Sequence, residues 1–149
     1  MRQSYRIRMF VLGVCAVLFA SASVLTAKPN APIAVKAVRL NQEFTLKQGQ
    51  RVTFKRTSLR IKFVTVESDS RCPSDVKCVW AGNAAVQVEV STGSRSKTLT
   101  LNTGRGSALV SEIEYKGYRL KLVGLSPYPR SDQKIAAGDY AATLLATKM

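Results

Sequence analysis

The chain has 149 residues, with 23 Lys and Arg against nine Asp and Glu, a formal net charge of +14 and no histidine. Without histidine, Ser-His-Asp and Cys-His catalytic centres and the usual zinc ligand sets are excluded. The length fits one domain that can bury a core of its own, and the basic charge favours anionic partners.

The N-terminal residues have the pattern of an export signal. Three arginines and no acid accompany an apolar run that begins at Met9, and small residues follow it. This pattern predicts a signal peptide over residues 1–27, cleaved after Ala22 or Ala27, and a periplasmic or secreted domain over residues 28–149. The alternative is a retained anchor, since the apolar run is just long enough to span a bilayer. Apart from such an uncleaved segment, we expect no membrane association.

After Pro32, apolar and polar residues alternate along most of the chain, which is typical of strands with one buried face. The clearest runs are Leu59, Ile61 and Phe63; Val86, Val88 and Val90; Leu99 and Leu101; and Tyr118, Leu120 and Leu122. The parity changes at Phe63-Val64, which predicts a bulge or coverage of both faces there. No segment has a convincing helical period. We therefore expect an all-β fold, an antiparallel β-sandwich of seven or eight strands that is immunoglobulin-like in architecture.

Short turn sequences separate these runs. Gln48-Gly49-Gln50 and Thr92-Gly93-Ser94 each predict a hairpin, and Lys116-Gly117 predicts a tight turn. Pro127-Tyr128-Pro129 cannot continue a central strand and begins a long connection. The last strand, over residues 140–147, begins with a sequence similar to the tyrosine corner of immunoglobulin-like sandwiches. There, a tyrosine hydroxyl bonds to backbone upstream.

The segment DSRCPSDVKCVWAGN, residues 69–83, holds two of the three cysteines and the only tryptophan. Glu67, Asp69 and Asp75 carry the oxygen ligands that calcium takes, but they lack the spacing of a calcium loop and basic residues interleave with them. Local ion pairing and turn capping by Asp69 and Asp75 is the simpler interpretation. We therefore expect no metal site and no cofactor.

Cys72 and Cys78 are predicted to form a disulfide. An even cysteine count in an oxidising compartment favours the bond, and Pro73 bends the chain between the two residues. Cys78-Val79-Trp80 is predicted to continue as a strand, with the indole of Trp80 packed near the bridge or covering the end of the sandwich. The bridge then stabilises the fold and takes no part in catalysis or metal binding.

A signature of small exported bacterial proteins resembles this part of the chain. It has the form D-S-R-C-P-x4-C-x-W-A-G, and residues 125–129 and 138–140 are similar to the same proteins. The resemblance covers about residues 43–145. It implies an exported, disulfide-bearing β domain, and it implies no activity, cofactor, partner or site residue.

Six basic residues stand at alternate positions to apolar neighbours on their strands. These candidate binding residues are Arg51, Lys55, Arg60, Lys62, Arg119 and Lys121. If their strands are neighbours in one sheet, they form a positive face that binds polyanions weakly and in a salt-dependent manner. We favour the alternative, in which the strands belong to opposite sheets, because like charges facing each other on adjacent strands are destabilising. The dispersed charges do not predict specific nucleic-acid binding.

The sequence therefore predicts a monomeric, exported binding or structural module without enzymatic activity, and its expected partner is an envelope protein or an anionic polymer. One alternative is an inhibitor of an envelope protease that presents the stapled loop over residues 69–77. Another is a basic-face binder of anionic envelope polymers. An enzyme of unfamiliar type is least favoured, since histidine is missing. An exposed apolar patch would favour a protein-binding role.

Overall fold

The computed structural model describes residues 36–104, 106 and 108–149, and the expected signal peptide lies outside them. The elements are β1 (Lys36–Val38), β2 (Glu43–Lys47), β3 (Arg51–Phe54), β4 (Leu59–Asp69), β5 (Ala84–Thr92), β6 (Arg95–Asn102), β7 (Glu112–Tyr115), β8 (Tyr118–Ser126), a 3-10 turn (Ala137–Asp139) and β9 (Ala141–Lys148). The strands form two sheets, in the orders β1-β3-β4-β5-β6 and β2-β9-β8-β7. All paired strands are antiparallel except β1 and β3, which are parallel. The prediction of an all-β antiparallel sandwich is confirmed.

The inward-facing residues of both sheets form one core. Its largest fully buried side chains are Leu46, Val52, Phe54, Leu59, Ile61, Phe63, Val86, Val88, Val90, Leu101 and Leu144. The rings of Phe44 on β2 and Phe54 on β3 meet edge to face across the two sheets, with centroids 5.3 Å apart. The alternation in the sequence therefore marks the buried face of β3, β4 and β5 correctly.

Strand β4 carries the bulge that the change of parity predicts. Its register with β5 shifts between Phe63 and Thr65, and shifts again between Val66 and Ser68. Each extra residue breaks the strict alternation without ending the strand. As a result β4 continues to Asp69, where the cysteine-containing segment begins.

Two of the three predicted turns are confirmed. β5 and β6 form a hairpin at Thr92-Gly93-Ser94, and β7 and β8 form one at Lys116-Gly117. Both turn residues of the second hairpin have positive φ, +50° and +79°, as in the type I′ turns that suit hairpins.

The predicted hairpin at Gln48-Gly49-Gln50 is wrong. β2 pairs with β9 in one sheet and β3 pairs with β1 and β4 in the other, so this turn carries the chain from one sheet to the other. Gly49, with φ +84°, donates its backbone N–H to the carbonyl of Phe63 at 2.7 Å. Two strands that each bury one face satisfy the core equally well side by side or across it, so the pattern does not decide between these arrangements.

Candidate binding site at the disulfide loop

Residues 70–83 connect β4 to β5 and are called the disulfide loop below. Cys72 and Cys78 are bonded, with Cα atoms 5.9 Å apart, which confirms the predicted disulfide. The two arms of the loop stay hydrogen bonded beyond the strands. Ser70 N–H donates to the Asn83 carbonyl at 2.7 Å, and Cys72 N–H donates to the Ala81 carbonyl at 2.9 Å. The loop is therefore an extension of the β4–β5 pair, closed near its tip by the disulfide.

Arg71 anchors this loop to the body of the protein and is only 7% exposed. Its guanidinium forms a two-pronged ion pair with Asp69, Nε to Oδ1 at 2.9 Å and Nη2 to Oδ2 at 2.7 Å. The same group donates to the backbone carbonyls of Leu125 at 2.6 Å and Pro127 at 2.9 Å. The ring of Tyr128 lies 5.0 Å from the guanidinium carbon, within cation–π range. Arg71 thus joins the disulfide loop to the end of β8.

Tyr140 completes this network in a way that corrects the tyrosine-corner interpretation. Its hydroxyl donates to Asp69 Oδ2 at 3.1 Å, a side-chain carboxylate where the tyrosine corner has a backbone group. Burial raises the pKa of Asp69, but the hydrogen bonds and charge of Arg71 and the hydroxyl of Tyr140 outweigh it and hold the pKa below its usual value. Burial and the charge of Asp69 raise the pKa of Tyr140.

A second brace holds the tip of the disulfide loop. The Asp75 carboxylate accepts hydrogen bonds from the hydroxyl of Ser131 and, at 2.9 Å, from its backbone N–H. The Ser74 N–H donates to the Pro129 carbonyl at 2.9 Å. Hydrogen bonds from Ser131 lower the pKa of Asp75. The predicted local ion pairing and turn capping is confirmed for Asp69, which pairs with Arg71 and accepts its backbone N–H. It is wrong for Asp75, whose partner Ser131 lies 56 positions away, and Glu67 accepts a hydrogen bond from Gln87 instead of joining them.

Trp80 lies on the surface, so the prediction that its indole is buried near the bridge or over the end of the sandwich is wrong. Its exposed fraction is 82%, and that of its neighbour Val79 is 91%. The chain over residues 78–83 is irregular, and β5 begins only at Ala84. Gly82, with φ +71°, turns the chain so close to Ser70 that a Cβ atom would lie 1.8 Å from its carbonyl oxygen. Because residues 78–80 do not form a strand, the alternation on which burial of Trp80 was predicted does not apply.

Three exposed apolar residues of this end, Trp80, Val123 and Tyr128, line a cleft of about 800 Å³. We call these three residues, together with the exposed loop residues Val76 and Val79, the Trp80 surface. The cleft is lined by Arg71, Trp80, Leu109, Gly124, Leu125 and Tyr128, among others. A Cβ atom on Gly124 would meet no atom within 4 Å, so the β8 backbone is open to the cleft.

The far wall of the cleft is fixed by Asn83. Its amide nitrogen donates to Asn102 Oδ1 at 2.7 Å, and its amide oxygen accepts the Gly104 N–H at 2.9 Å. β7 covers β8 only over residues 118–121. In the described part of the chain no strand pairs with that side of β8 between Val123 and Ser126. The cleft therefore contains a short open stretch of strand edge.

The six candidate cations divide between the two sheets. Four lie on the outer side of β3 and β4 or directly after β3: Arg51, Lys55, Arg60 and Lys62. Arg119 and Lys121 lie on β8, in the other sheet. The expectation that the cation-bearing strands belong to opposite sheets is therefore correct for Arg119 and Lys121 relative to the other four. Arg119 is also paired with Glu112 at 3.2 Å and with Glu114 at 2.9 Å.

Within the first sheet, however, Arg51 and Lys62 stand directly opposite each other. Because facing like charges are destabilising, we expected the cations to be divided between the two sheets. Arg51 and Lys62 nevertheless face each other on adjacent strands. Arg60 turns toward β5, where its guanidinium donates to Ser91 Oγ at 3.4 Å and to the Gly93 carbonyl. The structure therefore leaves a four-cation group on one sheet.

Comparison of the chain with protein-family models, with curated proteins and with solved structures finds no match. Within the described residues no helix is long and apolar enough to cross a membrane.

Proposed function

We propose that this protein is an exported binding module that captures a partner protein through the Trp80 surface. The observation that carries the proposal is the exposure of Trp80 and Val79 at the tip of a loop that is otherwise firmly held. Exposing a tryptophan to water is unfavourable unless a partner covers it, and tryptophan is the residue most enriched among the residues that dominate binding energy.

The surface is preorganised, which supports a binding role. The disulfide, the Arg71 network and the Asp75–Ser131 hydrogen bonds fix the loop before any partner arrives. A partner then loses less free energy to ordering of the loop on association. The same elements stabilise the fold, so preorganisation supports the proposal but does not carry it.

Export is part of the proposal. The disulfide points to a non-reducing compartment, because such bonds are rare in the cytosol. The basic, apolar and small-residue pattern of residues 1–27 is that of a cleaved signal, and the cysteine signature resembles small exported bacterial proteins. Periplasmic or secreted localisation follows from these features together.

The partner is an extended apolar segment of a protein with an acidic surface. The open stretch of β8 beside Gly124 offers backbone groups to an added strand, and the cleft takes its side chains. The charges of Asp69, Arg71 and Asp75 are engaged within the loop, while Lys77 is exposed at the same tip. A basic chain with an exposed lysine at the contact favours acidic neighbours on the partner. No catalytic step or cofactor enters the proposal.

The test compares Trp80→Ser and Gly124→Leu with the unchanged protein as bait in an envelope extract. Trp80→Ser removes the indole, and Gly124→Leu places a bulky side chain in the cleft, where a Cβ atom would meet no atom within 4 Å. Met149→Ser is the matched control, because Met149 is also exposed but bonds at the β7–β8 turn, at the other end of β8. Captured proteins are identified by mass spectrometry, purified, and titrated by calorimetry.

We expect both site variants to bind the purified partner about tenfold or more weakly, as for loss of a central aromatic contact. Met149→Ser is expected to bind it with the affinity of the unchanged protein. Equal binding by Trp80→Ser, or no captured protein at all, would contradict the proposal. Melting temperatures of all variants exclude unfolding as the cause of lost binding.

A second candidate, inhibition of an envelope protease, is favoured by the way residues 72–78 are held. The disulfide closes this segment and Ser74 and Asp75 tie it to residues 129–131, so it is presented as a rigid loop. Protease activity in the envelope extract, measured with increasing amounts of the protein, tests this candidate. Here Val76→Ala and Lys77→Ala are expected to relieve inhibition while Trp80→Ser and Gly124→Leu leave it intact, whereas the Trp80 surface requires that both of the latter variants weaken binding.

A further inference from the structure

A second concave site lies at the other end of β4 and is lined almost entirely by positive charge. Its cleft, of about 560 Å³, is formed by Arg39, Leu40, Lys55 and Arg56. We call Arg39, Lys55 and Arg56 the basic cleft residues. All three are exposed, and two of them, Arg39 and Arg56, were not among the candidates from the sequence.

Backbone geometry brings these three cations together. Arg39 directly follows β1, and Lys55 directly follows β3. The parallel pairing of the two strands places both residues at the same end, and Lys55 N–H donates to the Val38 carbonyl at 3.0 Å. Arg56 begins the turn into β4 with φ +60°. The convergence is therefore set by the fold rather than by flexible side chains alone.

Arg56 occupies a conformation that glycine or asparagine adopts with less strain. Glycine at this position would lower the strain and remove the charge together. Strained backbone of this kind is found disproportionately at binding sites, where the side chain has a use that offsets the strain. Lys116 has a similar φ of +50° in the β7–β8 turn, so the conformation of Arg56 supports a binding role only together with the charge of the cleft.

The cations of the cleft have few acids near them. No ion pair among the described residues includes Arg39, Lys55 or Arg56, whereas Arg119 on the other sheet has two. Glu43 lines the adjoining cleft together with Arg39 and Lys55, and is the acid that opposes them there. With three cations and one acid, the net charge around the cleft is positive.

The basic region continues along the outer side of the first sheet. Lys55 and Arg51 lie on the same side of β3, about 13 Å apart at the usual rise per residue. Lys62 stands opposite Arg51, and across from Lys62 on β5 stands Glu89. The cleft and this line of cations form an elongated track, which matches a linear anion better than a single compact one.

We propose that the basic cleft residues, with Arg51 and Lys62, bind a linear polymer that carries phosphate or sulfate groups. Guanidinium groups donate paired hydrogen bonds to such oxyanions, and two of the three cleft cations are arginines. The site is separate from the Trp80 surface, so the two proposals stand or fall independently.

The experiment measures binding of fluorescein-labelled heparin and of labelled inorganic polyphosphate by anisotropy, between about 50 and 200 mM NaCl, the range over which contacts to charged polymers weaken. The site variant is Arg39→Gln/Lys55→Gln/Arg56→Gly. The control is Lys116→Gln/Lys134→Gln/Lys148→Gln, which removes the same charge from exposed lysines off the track. Trp80→Ser is included to separate the two sites.

We expect the site variant to bind at least one of the two polymers about tenfold or more weakly at low salt. We also expect the slope of log affinity against log salt to fall by about three, one for each lost contact. The control and Trp80→Ser keep most of the affinity. Arg56→Gly alone weakens binding while the melting temperature stays or rises, which separates loss of a contact from loss of the fold.

Equal losses in the site and control variants would mean that net charge alone attracts the polymer, and would overturn the proposal. So would binding only to vesicles of phosphatidylglycerol and phosphatidylcholine, with neither polymer bound, because the ligand would then be a lipid surface.

Discussion

The charged side chains at the two ends of strand β4 differ in whether they are paired. At the end that carries the disulfide loop, Arg71, Asp69 and Asp75 are engaged with one another or with neighbouring backbone, and the surface left over is apolar. About 30 Å away along the strand, Lys55 and Arg56 stand in no ion pair within the described residues and line an open cleft. Burial explains the pairing of Arg71 with Asp69, since a buried charge is too unfavourable to leave unpaired, whereas exposed charges such as Lys55 and Arg56 can stay unpaired.

The largest effect is expected from breaking the Arg71 network. Arg71→Ala leaves the carboxylate of Asp69 buried without its partner, and loss of one member of such a pair costs about 3–5 kcal/mol of unfolding free energy. Urea denaturation followed by circular dichroism measures it. Arg130→Ala is the matched control, because Arg130 pairs with Asp132 on the surface and its loss is expected to cost less than about 1 kcal/mol. Similar losses in both variants would show that the Arg71 pair is not special.

Removing the disulfide is expected to have a smaller effect. Replacing Cys72 and Cys78 together with serine frees a short loop in the unfolded chain, which costs about 2 kcal/mol on the chain-entropy estimate. The hydrogen bonds between the loop arms remain, so the strand order is expected to persist in the circular dichroism spectrum. Reaction of both cysteines with a thiol reagent in the unreduced native protein would contradict the bond itself.

Acid is expected to weaken the disulfide-loop end selectively. The pKa of Asp69 is lowered in the folded state, so its contribution is fully present above the unfolded pKa near 4 and is lost as pH falls through the folded value. Unfolding free energy measured from about pH 6 to pH 2 is expected to fall less steeply in Asp69→Asn than in the unchanged protein. Asp132→Asn, which removes an exposed carboxylate that pairs with Arg130, is the control for the loss of one negative charge. An unchanged slope in Asp69→Asn would contradict the assignment.

The smallest effect is expected at the basic end, and it has the opposite sign. Arg56→Gly relieves a positive φ, and the gain of about 1 kcal/mol is partly offset by the entropy of glycine in the unfolded chain. Unfolding free energy is therefore expected to stay level or rise slightly. Gly93→Ala, at a turn with φ +60°, is the converse control and is expected to be destabilising. A clear loss of stability in Arg56→Gly would show that the side chain of Arg56 supports the fold.

Alternation in the sequence was enough to predict most of the strands and the core, because Ile61 and Val88 each face inward whatever their strand is paired with. The short strands β1 and β7 were not predicted, so the described part of the chain has nine strands where seven or eight were expected. Alternation did not predict pairing. Gln48-Gly49-Gln50 reverses the chain in either arrangement, and only the shape of the core decides which sheet β3 joins.

The candidate site was predicted in part, for a related reason. The disulfide and the local ion pair of Asp69 with Arg71 follow from short-range spacing. The anchoring by Arg71 does not, since its acceptors are backbone carbonyls more than 50 positions away, which leave no mark on the sequence. Trp80 was expected inside because residues 78–80 were predicted to form a strand, and the chain there is irregular and leaves the indole exposed.

The partial cover of β8 by β7 has a consequence for the solubility of the protein. An uncovered strand edge tends to pair with the same edge of another molecule and so to seed aggregation. Here Arg71 occupies the Leu125 and Pro127 carbonyls and so blocks one end of the gap, while β7 and Ser111, whose carbonyl accepts the Leu122 N–H, close the other. What remains is long enough to hold a few residues of a partner and too short to template a second copy of the sheet. The Arg71 side chain thus shortens the free edge of β8 and so limits edge-to-edge pairing between two molecules.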